Sequence, residues 1–97
     1  GKDVFIDIPL APWEAALGTT VNVPTPAGST LELKIPAGTV AGRKMRLKGK
    51  GIPSSEPGDL YVVPTIALPP AETDTQKEAY QNFEKAFDFN PRSHLKG

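Results

Sequence analysis

Apolar and polar residues alternate one by one through much of the first two thirds of the chain, the period expected of strands that bury one face. Residues 3–10 are dense in β-branched and aromatic types and predict a first strand, whose Pro9 is barred from continuing a central ladder. Residues 19–23 and 30–35 alternate on either side of Pro26-Ala27-Gly28-Ser29, which predicts a hairpin. Leu31, Leu33 and Ile35 share one face and Glu32 and Lys34 the other, a pattern that favours antiparallel pairing. In residues 43–48, Met45 and Leu47 point inward against Lys44, Arg46 and Lys48. A loop follows over residues 49–58, and residues 59–68 resume as a strand that Pro64 should bend or place at an edge.

Two segments break the period of two. Pro12 suits the opening turn of a helix and Gly18 its end, so residues 13–17 predict about two turns. Trp13, Ala16 and Leu17 share one side of it, expected to lie on the sheet. After Pro69-Pro70 comes a longer helix, opened by a capping box of Thr73 and Gln76. Ala79, Tyr80, Phe83, Ala86 and Phe87 recur on one face of it, with Lys77, Glu78, Gln81, Glu84 and Lys85 on the other.

Composition narrows this picture. Ninety-seven residues, 38% hydrophobic, support one core and a thin sandwich, and eleven prolines with nine glycines keep each element short. Eleven basic residues against eleven acidic leave no net charge, so an electrostatic partner must be met locally. The lack of cysteine excludes disulfides, thiolate zinc sites and thiol nucleophiles and fits a reducing compartment, with the cytoplasm the expected setting. Apolar runs fall far short of the roughly 20 residues that span a bilayer, so a soluble chain without a membrane partner is expected. The start, Gly1-Lys2-Asp3-Val4, lacks a charged-then-apolar leader and reads as cut from something longer.

The single histidine, His94, is a poor beginning for an active site, and no catalytic residue, cofactor or metal ligand is expected. Gly49, Gly51 and Gly58 lie between strands with no helix N-terminus beside them, which favours turns over a phosphate cradle. Gly49 and Gly51 are expected at backbone angles costly to other residues. Asp3, Asp7, Glu56 and Asp59 are dispersed acids that solubility and edge protection explain.

Several of these motifs, taken in order, resemble a known family. Pro36-Ala37-Gly38-Thr39, Gly42, Leu47-Lys48-Gly49-Lys50-Gly51-Ile52-Pro53 and Gly58-Asp59-Leu60-Tyr61-Val62-Val63 resemble the second carboxy-terminal domain of DnaJ-type co-chaperones. Trp13-Glu14-Ala15-Ala16-Leu17-Gly18 adds to the likeness, and Phe87-Asp88-Phe89-Asn90-Pro91-Arg92 looks closest to the curved-DNA-binding protein A branch. The resemblance implies a mainly β fold: a two-layer antiparallel β-sandwich with one short helix over residues 1–70, then an amphipathic dimerisation helix and tail over residues 71–97. It implies a non-catalytic protein that homodimerises and presents unfolded polypeptides to the seventy-kilodalton DnaK-type chaperone. That chaperone would be met through parts of the parent protein outside this chain. The family's ATPase-stimulating domain carries a His-Pro-Asp turn, whereas His94 is followed by Leu95. A nucleoid-associated role, with binding to curved DNA, is the alternative.

Three sets of residues are candidates for contact. Tyr80, Phe83 and Phe87, with Phe89 beyond them, form the expected dimer interface, since aromatics concentrate at interface centres. Alignment to the family's client groove selects Ile6, Ile8, Val21 and Val23, for which core packing is the favoured reading. Lys44, Arg46, Lys48 and Lys50 offer a basic face to DNA or an acidic peptide, but with no aromatic among them a solvated face is favoured.

Overall fold

The alternating segments fold into five strands in a computed structural model that describes residues 1–95. In chain order the elements are β1 (Val4–Leu10), α1 (Pro12–Leu17), β2 (Thr19–Pro24), β3 (Thr30–Ile35), β4 (Met45–Leu47), β5 (Leu60–Ile66) and α2 (Asp74–Lys85). Strands β1, β5 and β4 form one sheet in that order, and β2 and β3 the second. Over the described residues the chain is therefore mainly β, with two sheets and two helices, as expected.

The core lies where the inward faces meet. Leu10, Val23, Ile35, Leu60 and Val62 have almost no exposed surface, and Ile6, Ile8, Val21, Leu33, Met45 and Leu47 pack half-buried around them. Full burial of such a side chain stabilises by about 1.5–3 kcal/mol, so these few residues carry much of the fold. Thr25 is the one buried polar residue among those described, and its hydroxyl is satisfied by Ser29 across the hairpin turn.

Pairing departs from expectation in one ladder. The hairpin β2–β3 and the β4–β5 pair are antiparallel, but β1 runs parallel to β5, from Val4 opposite Leu60 to Leu10 opposite Ile66. Parallel strands need a long crossover, and here α1, the hairpin and β4 supply it. The one-sided alternation of the hairpin said nothing about this distant pair. For the same reason β5 is the central strand despite Pro64. The Pro64 carbonyl accepts from Gly42 N–H at 2.9 Å on the β4 side, beyond the end of β4 at Met45. The proline's missing N–H faces that same gap and breaks no ladder bond.

Helix α1 also turns the other way from expectation. Ala15 is buried against Leu10 and Ile35, while Trp13 and Leu17 are exposed. This orientation goes with two hydrogen bonds that hold the helix to residues 38 and 39: the Ala15 and Ala16 carbonyls accept from Thr39 and Gly38 N–H at 2.9 and 3.1 Å. Gly18, at φ +88°, turns the chain into β2 so near β3 that a β-carbon would lie 3.1 Å from Ile35 O and Ala37 N.

Thr73 caps α2 as its sequence suggests. Its hydroxyl accepts from Gln76 N–H, and the Gln76 side chain accepts from Thr73 N–H and Glu72 N–H. No residue of α2 is buried.

Candidate interaction surfaces

Helix α2 leaves the sandwich through Pro69-Pro70, and the Tyr80 hydroxyl donates back to the Pro69 carbonyl, tying the helix to its own spacer. Tyr80 is thus half-buried and fixes the helix. Phe83 and Phe87 pack edge to face, centroids 5.1 Å apart, and each remains 59% exposed; Phe89 is 77% exposed. Phe83 and Phe87 come together on a face that the sandwich does not cover, whereas the Tyr80 hydroxyl turns back to Pro69 and Phe89 lies beyond the end of the helix.

The four groove candidates lie at the seam between the sheets. Val23 is fully buried, whereas Ile6, Ile8 and Val21 are half-buried against the Val23–Leu60–Val62 cluster. What is open beside them is backbone. In the parallel ladder, Val4 N–H donates to Asp59 O and Leu10 O accepts from Ala67 N–H, so alternate residues of β1 face β5. The N–H and C=O groups of Phe5 and Asp7 therefore face the other way, along a flank with no neighbouring strand among the described residues. Pro9 limits that edge at its far end.

The four cations do not stay together. Arg46 lies opposite Tyr61 on β5, and Tyr61 lies opposite Phe5 on β1. The Phe5 and Tyr61 rings stack at 4.8 Å and 15°, with Lys44 Nζ 5.3 and 5.8 Å from their centroids. Lys50 has left this face and lines a cleft of about 220 Å³ with Thr25, Ser29, Gly51 and Ser54. A second cleft, about 170 Å³, runs from Pro36 to Met45. Both are below the roughly 300–1,000 Å³ usual for small-molecule pockets. The aromatics missing among the cations in sequence are supplied by two other strands, which a linear reading could not find.

Asp59 is the residue that sequence reasoning undervalued. Its carboxylate accepts from Gly49 N–H at 2.8 Å and from Arg46 Nε at 2.5 Å, and its own N–H donates to Asp3 Oδ1 at 2.7 Å. It pins loop 49–58 to β4 and to the first residues of the chain. Gly51 and Gly58 complete the junction: β-carbons there would lie 2.5 and 2.4 Å from Lys2 O. Gly49 has φ +75°, as expected, but Gly51 is needed for space and not for its backbone angle.

The Gly49 N–H, followed by the Arg46 guanidinium, holds the Asp59 carboxyl below the usual carboxylate range. A folded-state value below the unfolded one, near 3.9, means the ionised group stabilises the fold above about pH 4. That contribution is lost as pH falls through the folded-state value. Asp59→Asn is expected to flatten the acid limb of stability, measured as the urea midpoint between about pH 2 and 5. An unchanged acid limb would mean that other carboxylates govern it.

Among the described residues no three of His, Cys, Asp or Glu are grouped to hold a metal ion, and no helix is long and apolar enough to cross a membrane. Comparison with known proteins agrees with the architecture. The family model for the DnaJ C terminal domain matches residues 1–69. A curved DNA-binding protein of Coxiella burnetii (strain RSA 493 / Nine Mile phase I) is 47% identical over all 97 residues, which cover 31% of its own length. Curved DNA-binding proteins of Escherichia coli O1:K1 and Escherichia fergusonii are 46% and 47% identical over 94 residues, 95% of this chain and 30% of theirs. The chain spans about a third of the length of the curated relatives it matches. With its two-sheet fold and this match over most of its length, the chain belongs to the DnaJ C-terminal domain family.

Proposed function

We propose that this chain is the dimerising, non-catalytic end of a DnaJ-type co-chaperone that helps hold unfolded polypeptides for a DnaK-type seventy-kilodalton chaperone in the cytoplasm. The observation that carries this reading is the uncovered aromatic surface of α2 and the residues after it, where Phe83, Phe87 and Phe89 each leave more than half their surface in water. A second copy offers the same face, and a symmetric contact would bury both. Pairing sets two weak client sites on one particle and raises their effective concentration, which is how a dimer serves a holding function. The DnaK-type partner would be engaged by parts of the parent protein beyond this chain.

For the client site, the free flank of β1 supports strand addition: an extended segment can pair with Phe5 and Asp7 while its side chains meet Ile6 and Ile8 at the seam. Light scattering is expected to give twice the 10.3 kDa of one chain. Titration with an unfolded peptide is expected to shift the Phe5 and Asp7 amide resonances and to leave buried Val23 little changed. A monomer overturns the dimer, and silent β1 amides overturn the edge site.

A second reading has its own support. Phe5 and Tyr61 beside Lys44, Arg46 and Lys48 make a face suited to nucleic acid, and the relatives are named curved DNA-binding proteins. On this reading the parent protein is nucleoid-associated and this face contributes phosphate contacts, seen as duplex binding that weakens steeply with salt.

A further inference from the structure

We infer that the outer face of the β1–β5–β4 sheet is a platform for single-stranded nucleic acid, with an unpaired base stacked on Phe5 and phosphates along β4. The inference deepens the nucleic-acid reading above and rests on it. Its basis is a division of chemistry across three neighbouring strands. Cations occupy one margin: Lys44, Arg46 and Lys48 lie on or beside β4. The Arg46 side chain, 59% exposed, shares its charge with Asp59, and Lys48 is near enough to help lower the Asp59 carboxyl. Aromatic rings occupy the middle and the far margin, as Tyr61 on β5 and Phe5 on β1.

Phe5 is the accessible ring. Tyr61 covers one of its faces, and among the described residues no strand lies beyond β1 to cover the other; Phe5 is 59% exposed. Lys44 joins the two margins, its ammonium 5.3 Å from the Phe5 centroid, so a cation and a stacking surface stand side by side. Asp7 fixes the polarity. It follows Phe5 by two residues on the same exposed face, and its carboxylate repels phosphate from the β1 margin.

A ligand must therefore place phosphates over β4 and an uncharged planar group over β1. Backbone to backbone, those margins are roughly 10 Å apart, two strand spacings. A single strand meets the requirement because its bases are free to turn away from the phosphates and stack on a ring. A duplex can offer its phosphates to β4 but no base to Phe5, since its bases are already paired and stacked inside.

The test is fluorescence anisotropy of the full 97-residue chain with a labelled oligothymidine of about twelve nucleotides and a duplex of equal length, at low salt. The single strand is expected to bind more tightly. Phe5→Ala is expected to weaken it about tenfold while leaving duplex binding unchanged, the loss typical of one base–aromatic stack. Phe5→Leu, which keeps an apolar side chain against Tyr61, should reproduce the loss if Phe5→Ala fails to fold. Lys44→Gln is expected to weaken both ligands and to lower the salt slope by about 0.7 for the single strand. Duplex binding that equals or exceeds single-strand binding, or a strand indifferent to Phe5, overturns the platform and leaves the basic-face reading standing. Binding of neither ligand removes both.

Discussion

Replacing Phe83 and Phe87 together with Asp is expected to halve the mass of the particle in solution and leave the β signal in far-ultraviolet circular dichroism intact. Burying one fully exposed phenylalanine is worth about 1.5–3 kcal/mol; with each residue still 59% exposed, two from each chain supply roughly 3.5–7 kcal/mol before costs. Association itself costs an estimated 4–15 kcal/mol, so the pair decides whether a dimer exists. The substitution also sets carboxylates against each other across a symmetric contact, which adds repulsion to lost burial. The sandwich is spared because no side chain of α2 is buried against it. Gln81→Asp, on the helix's polar face, is the control and should leave the mass unchanged. A double variant that remains dimeric would place the interface elsewhere on the chain.

The second large effect is expected at Gly58. An alanine β-carbon there would sit 2.4 Å from both the carbonyl carbon and oxygen of Lys2 and 2.7 Å from Asp3 N, all backbone atoms that no rotamer change can move. The first residues of the chain and loop 49–58 must part, straining the Ile52 N–H to Lys2 O and Val4 N–H to Asp59 O bonds, both 2.9 Å. Overpacking of this kind costs about 1–3 kcal/mol or more, a drop in melting temperature of roughly 10 °C for a domain this size. Gly28→Ala is the informative comparison. Gly28 has φ +87° but open space around it, so it should cost only the left-handed strain, about 1–2 kcal/mol. A Gly58→Ala melting temperature equal to that of the unsubstituted chain would show that crowding at Lys2 does not select glycine.

Local patterns were legible in the sequence to the extent that their causes were local. The hairpin strands follow from alternation around Pro26-Ala27-Gly28-Ser29, and the start of α2 from the reciprocal bonds of Thr73 and Gln76. The short helix was legible in position but not in orientation. Spacing grouped Trp13, Ala16 and Leu17, while the helix held by hydrogen bonds to Gly38 and Thr39 buries Ala15. The parallel β1–β5 ladder and the Phe5–Tyr61 stack depend on residues 56 positions apart, for which a period of two gives no register. Asp59 looked like a solvated acid because its partners, Gly49 and Arg46, are brought to it by the return of the chain into β5.

The parallel ladder between the first strand and the last has a consequence for how this protein is made. On a ribosome β1 emerges well before its partner, and the β2–β3 hairpin can close while β1 still waits. Contacts of such long sequence separation form late and slowly, so the nascent chain carries an unpaired, β-prone segment, Val4-Phe5-Ile6-Asp7-Ile8, through much of its synthesis. Asp7 puts a charge inside that segment and Pro9, just after it, lacks a donor, two devices that discourage one strand from joining its twin on a neighbouring polysome chain.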